Sequence, residues 1–223
     1  MANVSDMHPS SFFINWVNAA ATSARLPKST WDQMSTSHIA AIRNNDHFVA
    51  FDSASQSVRV APHLAMIPVF HPDLTDSANY GALGTLLGTA SVQLLISMLS
   101  RKESPLLAEV AKRMDCYAEP AALKNMTLSR ERLYLAASLP LVWEAYQNRR
   151  LLGVGDHRKL KDFSNEKSFF ATTCYLLCDG RDAPEAAEFA CNAAVKNVKA
   201  FAVAYGCEKQ SPMHPRQRCQ LFK

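Results

Sequence analysis

Apolar positions in this chain recur mostly at intervals of three and four, the spacing of one helix face. Residues 11–25 and 30–43 read as helices with Pro27 between them, and the Ser/Thr of STWDQMS supplies a cap before Trp31. The pattern then changes. HFVAFD (47–52) and SVRVAP (57–62) alternate apolar and polar residues around a Ser/Gln-rich turn, which predicts a short hairpin or two edge strands. Pro62, Pro68 and Pro72 mark an irregular approach to the next element. From Ala82 to about Ser100 the pattern is helical and apolar on most sides, so a buried helix is expected.

Further along, residues 104–115 form an amphipathic helix, and Glu131 to Arg149 a second strong one that Pro140 would kink or restart. Residues 165–178 and 184–204 are helical as well, and the tail from Gly206 is turn-rich. No internal repeat and no low-complexity linker interrupts the series. The fold class expected is mainly α with a small β element.

Composition narrows the picture. The chain has 223 residues, 48% hydrophobic and 20% charged, enough for one domain or one domain plus part of another. Its net charge of +4 is scattered, with NRR (148–150) and RKLK (158–161) the densest pieces, so nucleic acid is not expected as a partner. The most apolar run, Leu83 to Leu99, carries Thr85, Thr89, Ser91, Gln93 and Ser97, and reads as too polar for a lipid-facing span; no membrane contact by this chain is expected. The first residues lack the basic start and apolar core of a secretory signal. Yet five of the six cysteines crowd the last fifty residues, which suggests disulfides, an oxidising compartment and a chain that is part of something longer.

Five separated stretches carry a resemblance. They are VAPHLAMIPVFHPD (60–73), NYGALGTLLG (79–88), WEAYQN (143–148), NEKSFFATTCYLLC (165–178) and the ending VKNVKAFAVAYGCEKQSPMHPRQRCQLF (195–222). In this order and spacing they resemble the C-terminal catalytic part of the neprilysin and endothelin-converting-enzyme family of zinc metallopeptidases. The resemblance implies a zincin-like, thermolysin-like domain over 46–223, with residues 1–45 similar to the end of the preceding helical domain. It also implies an extracellular or cell-surface location.

The chemistry of that family needs two His one helical turn apart, so that both imidazoles face one metal. A Glu beside the first His takes a proton from the zinc-bound water, and a third ligand comes from another helix. By resemblance, the first His position is Thr89, the general-base position Ala90 and the second His position Gln93. Three losses in five residues amount to the absence of a site. Glu131 falls at the third-ligand position, although a shift of one residue in TLSRE would put Arg130 there instead; the plain alternative for Glu131 is a carboxylate favourable to a helix start. Leu135 stands where the family has an Asp that orients a ligating His. Asp182 and Glu188 fall at the oxyanion-stabilising His and the carboxylate-binding Arg, and Phe48-Val49 at the substrate-gripping Asn-Ala. His63 and His71 could rebuild a site with Glu131, but read more simply as surface or loop-packing histidines.

Among the cysteines, the resemblance pairs Cys116 with Cys219. It leaves Cys178 and Cys207 unpaired, paired with each other, or joined to Cys174 and Cys191. Two cysteines four apart on one helix bond poorly, so Cys174–Cys178 is the least favoured pair. Asn125-Met126-Thr127 and Asn3-Val4-Ser5 are glycosylation sequons. Together these readings describe a peptidase-like domain without its catalytic groups, with no cofactor expected and a peptide or protein as partner. The alternatives are an active zinc endopeptidase with a rearranged site, which would require zinc, and a non-enzymatic helical interaction domain.

Overall fold

The structure is a computed structural model that describes residues 49–52, 57–60, 64, 66–102, 104–122, 128–152, 163–178 and 184–221, all within one compact unit, Phe48–Lys223. The helices expected at 11–25 and 30–43, and the boundary at 45/46, lie outside the described residues. The described part is mainly helical. Strands β1 (Val49–Asp52) and β2 (Ser57–Val60) pair antiparallel, with Val49 opposite Val60 and Asp52 opposite Ser57. Six helices follow: α1 (Asp76–Arg101), α2 (Leu106–Ala122), α3 (Arg130–Leu151), α4 (Asn165–Tyr175), α5 (Pro184–Val195) and α6 (Lys199–Ala204).

Helix α1 begins six residues before the expected start at Ala82. Thr75 caps it, its hydroxyl accepting from the N–H of Ala78, and Asp76 places a negative charge in the first turn. The glycine-rich stretch Tyr80–Gly84 is absorbed as a π-helical turn, so the helix runs on instead of starting after a loop. With that start it is long and apolar enough to cross a membrane by length and composition, which corrects the reading of 83–99 as too polar. The helix is also less enclosed than its composition suggested. From Thr85 to Arg101 only Thr85, Ala90 and Val92 are buried, because it packs through one side.

Three further boundaries differ from the sequence pattern. Helix α2 continues past Asp115 to Ala122 and so carries both Cys116 and the buried Tyr117. Pro140 neither ends nor restarts α3: the helix is continuous around it, with Leu139 and Val142 buried on either side. The expected helix 184–204 is two helices. Asn197, at the break, donates its amide Nδ2 to the carbonyl of Ala193 (2.9 Å), the competition with backbone that short polar side chains offer. Helix α4 stops at Tyr175, which leaves Cys178 beyond it.

The core gathers residues from distant stretches. Trp143 stacks on Phe170 (centroids 5.1 Å) and meets Phe169 edge-on (5.0 Å). Tyr146 stacks on Phe169 (5.6 Å) and reaches Tyr80 (5.8 Å), while Phe201 meets Phe170 (5.3 Å). Thus NYGALG, WEAYQN, NEKSFF and the start of α6 share one aromatic cluster, whose pairs each add on the order of 1 kcal/mol beyond burial. Two ion pairs hold the end of α3: Arg149 Nε to Asp76 Oδ2 (2.9 Å) and Arg150 Nη1 to Glu166 Oε1 (2.8 Å). Burial works against the Glu166 charge, but its own backbone N–H, Arg150 and Ser164 together hold its carboxyl below the usual range.

Candidate functional site

The central relationship is the crossing of α1 with α3, the most extensive helix contact in the described fold. A Cβ on Gly88 would lie 2.5 Å from Val142 Cγ2 and 3.3 Å from Ser138 Oγ, so only glycine permits this approach. Gly84 faces Val142 one turn earlier, and Asp76 pairs with Arg149. Sequence numbers rise along α1 as they fall along α3, so the helices are antiparallel. This register carries residues 89–93 toward the first half of α3, the half that holds Leu135 and Glu131.

The side chains in that segment are not those of a metal site. The hydroxyl of Thr89 turns back on its own helix and donates to the carbonyl of Thr85 (2.8 Å). Ala90 is only 2% exposed and lies in packed core, with no group that can move a proton. Gln93 is half-buried. Leu135 is 5% exposed and belongs to the hydrophobic core. Glu131 is half-buried in the first turn of α3, where Ser129 caps the helix by accepting from the Arg132 N–H (3.3 Å) and the macrodipole favours a carboxylate. A zinc ion needs imidazole, thiolate or carboxylate donors; a hydroxyl bonded to backbone, a methyl group and a carboxamide do not fit it. Among the described residues no three of His, Cys, Asp and Glu come together in a metal-binding group.

The approach to α1 is held by Asn79. Its Oδ1 accepts from the backbone N–H of His71 (3.1 Å) and its Nδ2 donates to the His71 carbonyl (2.9 Å). The His71 ring is occupied locally, its Nδ1 accepting from the Asp73 N–H (3.1 Å). Glu188 is exposed on α5, and Val49 opens β1. His63, Phe48, Asn3, Asn125 and Asp182 lie outside the described residues.

Two disulfides are formed. Cys116–Cys219 ties α2 to the C-terminal segment with a Cα–Cα distance of 5.8 Å, and Cys174–Cys191 ties α4 to α5 at 5.2 Å. Cys178 and Cys207 are free thiols. The segment around Cys219 is fixed at several further points. Tyr117 donates its hydroxyl to the Cys219 carbonyl (3.0 Å), Arg113 donates to the Leu221 carbonyl (3.0 Å), and Cys219 N–H donates to Asn197 Oδ1 (2.9 Å). Burial pushes the Tyr117 phenol up to about 12, against a backbone hydrogen bond with Leu221. The anchoring role of Asn197 has no local signature; its one sequence cue is an Asn interrupting an otherwise helical run.

Neither a scan against protein-family models nor a search of curated proteins returns a match for this chain.

Proposed function

We propose that this chain is a neprilysin-type domain of zincin-like fold that has lost its metal site and serves outside the cell as a binding or scaffold module for a peptide or protein. The observation that carries the reading is the state of three positions. Thr89 spends its hydroxyl on Thr85, Ala90 is packed, and Gln93 offers only a carboxamide. The family half of the reading is supported by five motifs in one order, from VAPHLAMIPVFHPD to the Cys-containing tail. The location is supported by two disulfides, which persist in oxidising compartments.

The test is metal analysis of the purified chain with a peptide-cleavage assay, each with and without chelator. The expected result is zinc far below one per chain and no chelator-sensitive turnover. One zinc per chain with chelator-sensitive cleavage would overturn the reading, and loss of that cleavage in Glu131→Ala would then locate the rearranged site.

A further inference from the structure

Three cysteines come together where α4 ends. Cys174, in the last turn of α4, is bonded to Cys191 on α5. Cys178, four residues on, is an exposed free thiol. The turn that closes α4 fixes its place. Leu177 is 1% exposed, in the core, and its N–H donates to the Cys174 carbonyl (3.0 Å), while the Cys178 N–H donates to the Tyr175 carbonyl (3.0 Å). The Cys178 thiol folds back and donates to the Cys174 carbonyl (3.7 Å). A free thiol is thus held against the residue whose own sulfur carries a disulfide.

The second free thiol is placed differently. Tyr205, two residues before Cys207, donates its hydroxyl to the carbonyl of Lys167 in the first turn of α4 (3.2 Å). Cys207 therefore belongs to the opposite end of that helix, roughly 15 Å from Cys178 at the rise of an α-helix. It serves as an internal control.

A thiolate exchanges with a disulfide by attacking one of its sulfurs, and access decides which thiol does so. Holding the two groups together replaces a bimolecular encounter by an internal step. Of the two sulfurs, Cys191 gives the better product, because cysteines four apart at one helix end bond poorly.

We propose that Cys174, Cys178 and Cys191 form a disulfide-exchange switch. The Cys178 thiol gives up its proton and its sulfur bonds to Cys191. The Cys174–Cys191 bond breaks, and the Cys174 sulfur leaves with the electron pair and takes up a proton. One disulfide and one thiol stand on each side, so no oxidant or reductant is consumed. The tether of α5 moves from the last turn of α4 to the segment beyond it. The free thiol moves from exposed Cys178 to half-buried Cys174, which withdraws a reactive sulfur from the surface. The switch shares no residue with positions 89–93 or 131 and stands whether or not the chain is a peptidase relative.

The experiment holds the full, oxidised chain in mildly alkaline buffer, quenches it in acid and labels the unfolded chain with N-ethylmaleimide. Chymotrypsin cuts between Cys174 and Cys178, and mass spectrometry assigns the label. Label is expected at Cys174 as well as at Cys178, with a linked Cys178–Cys191 peptide and full label at Cys207. Cys178→Ser should lose the label at Cys174. Cys174→Ser should pair Cys178 with Cys191 and leave Cys207 as its free thiol. Label confined to Cys178 and Cys207 in the unaltered chain, label at Cys174 that persists in Cys178→Ser, or free Cys178 and Cys191 in Cys174→Ser would each overturn the proposal. The unaltered chain decides the matter even if a variant fails to fold.

Discussion

Thr173 donates its hydroxyl to the carbonyl of Gly81 (3.0 Å), and the two residues mark where α4 presses against the π-helical turn of α1. The approach is closer than any side chain allows: a Cβ on Gly81 would collide with Thr172 Oγ1 and the Phe169 carbonyl. One obstacle is backbone and cannot rotate away. Gly81→Ala is therefore expected to destabilise the fold by about 2 kcal/mol or more through overpacking. Urea unfolding of the variant beside the parent measures it. A midpoint unchanged within error would mean that α4 can shift without cost.

The reading of α1 as a metal-site helix that lost its ligands makes a gain-of-function prediction. Thr89→His with Gln93→His places two imidazoles four residues apart, one turn on the same face. With Glu131 as a third donor the double variant should bind zinc at micromolar concentration or tighter, while the parent does not; a dye-competition titration separates them. Adding Glu131→Ala should weaken that binding at least roughly tenfold. If the double variant binds no better than the parent, Glu131 does not face this segment and the proposed descent of the helix loses its main support.

Legibility in the sequence followed the range of the forces involved. Ser129 and Ser164 cap α3 and α4 through bonds to residues three positions on, and both helix starts could be read from the sequence. The start of α1 could not, because glycines in NYGALG look like a loop until α4 is there to require them. Asn197 sits at the break before Lys199, and its second bond, to the Cys219 N–H, joins residues twenty-two positions apart. That Thr89, Ala90 and Gln93 offer no zinc ligand could be read from residue type alone.

The two disulfides should contribute unequally. Cys116–Cys219 spans 103 residues and Cys174–Cys191 only 17. In the chain-entropy account, replacing the first pair by serines should cost about 4 to 5 kcal/mol, and replacing the second about 3 kcal/mol. Guanidinium unfolding of the two double variants, with free thiols counted by mass spectrometry, tests the order. A larger loss for the short loop would show that local packing of α4 on α5, not loop closure, dominates.

Tyr117 makes stability depend on pH at the alkaline end. Its hydroxyl is buried and bonded to the Cys219 carbonyl, and burial pushes its pKa up to about 12 from an ordinary value near 10. The folded state therefore holds the phenol proton more tightly than the unfolded chain does. The resulting stability is fully present below the unfolded pKa and is lost as pH rises through the folded one. A shift of this size corresponds to a loss on the order of 2 to 3 kcal/mol between about pH 10 and pH 12. Tyr117→Phe should be less stable at neutral pH by about 1 kcal/mol for the lost hydrogen bond, and its stability should fall less steeply above pH 10. Lysines and the other tyrosines titrate in both proteins, so the difference between the two curves isolates Tyr117. Parallel curves would mean that the phenol can ionise in the folded state without loosening the tail from α2.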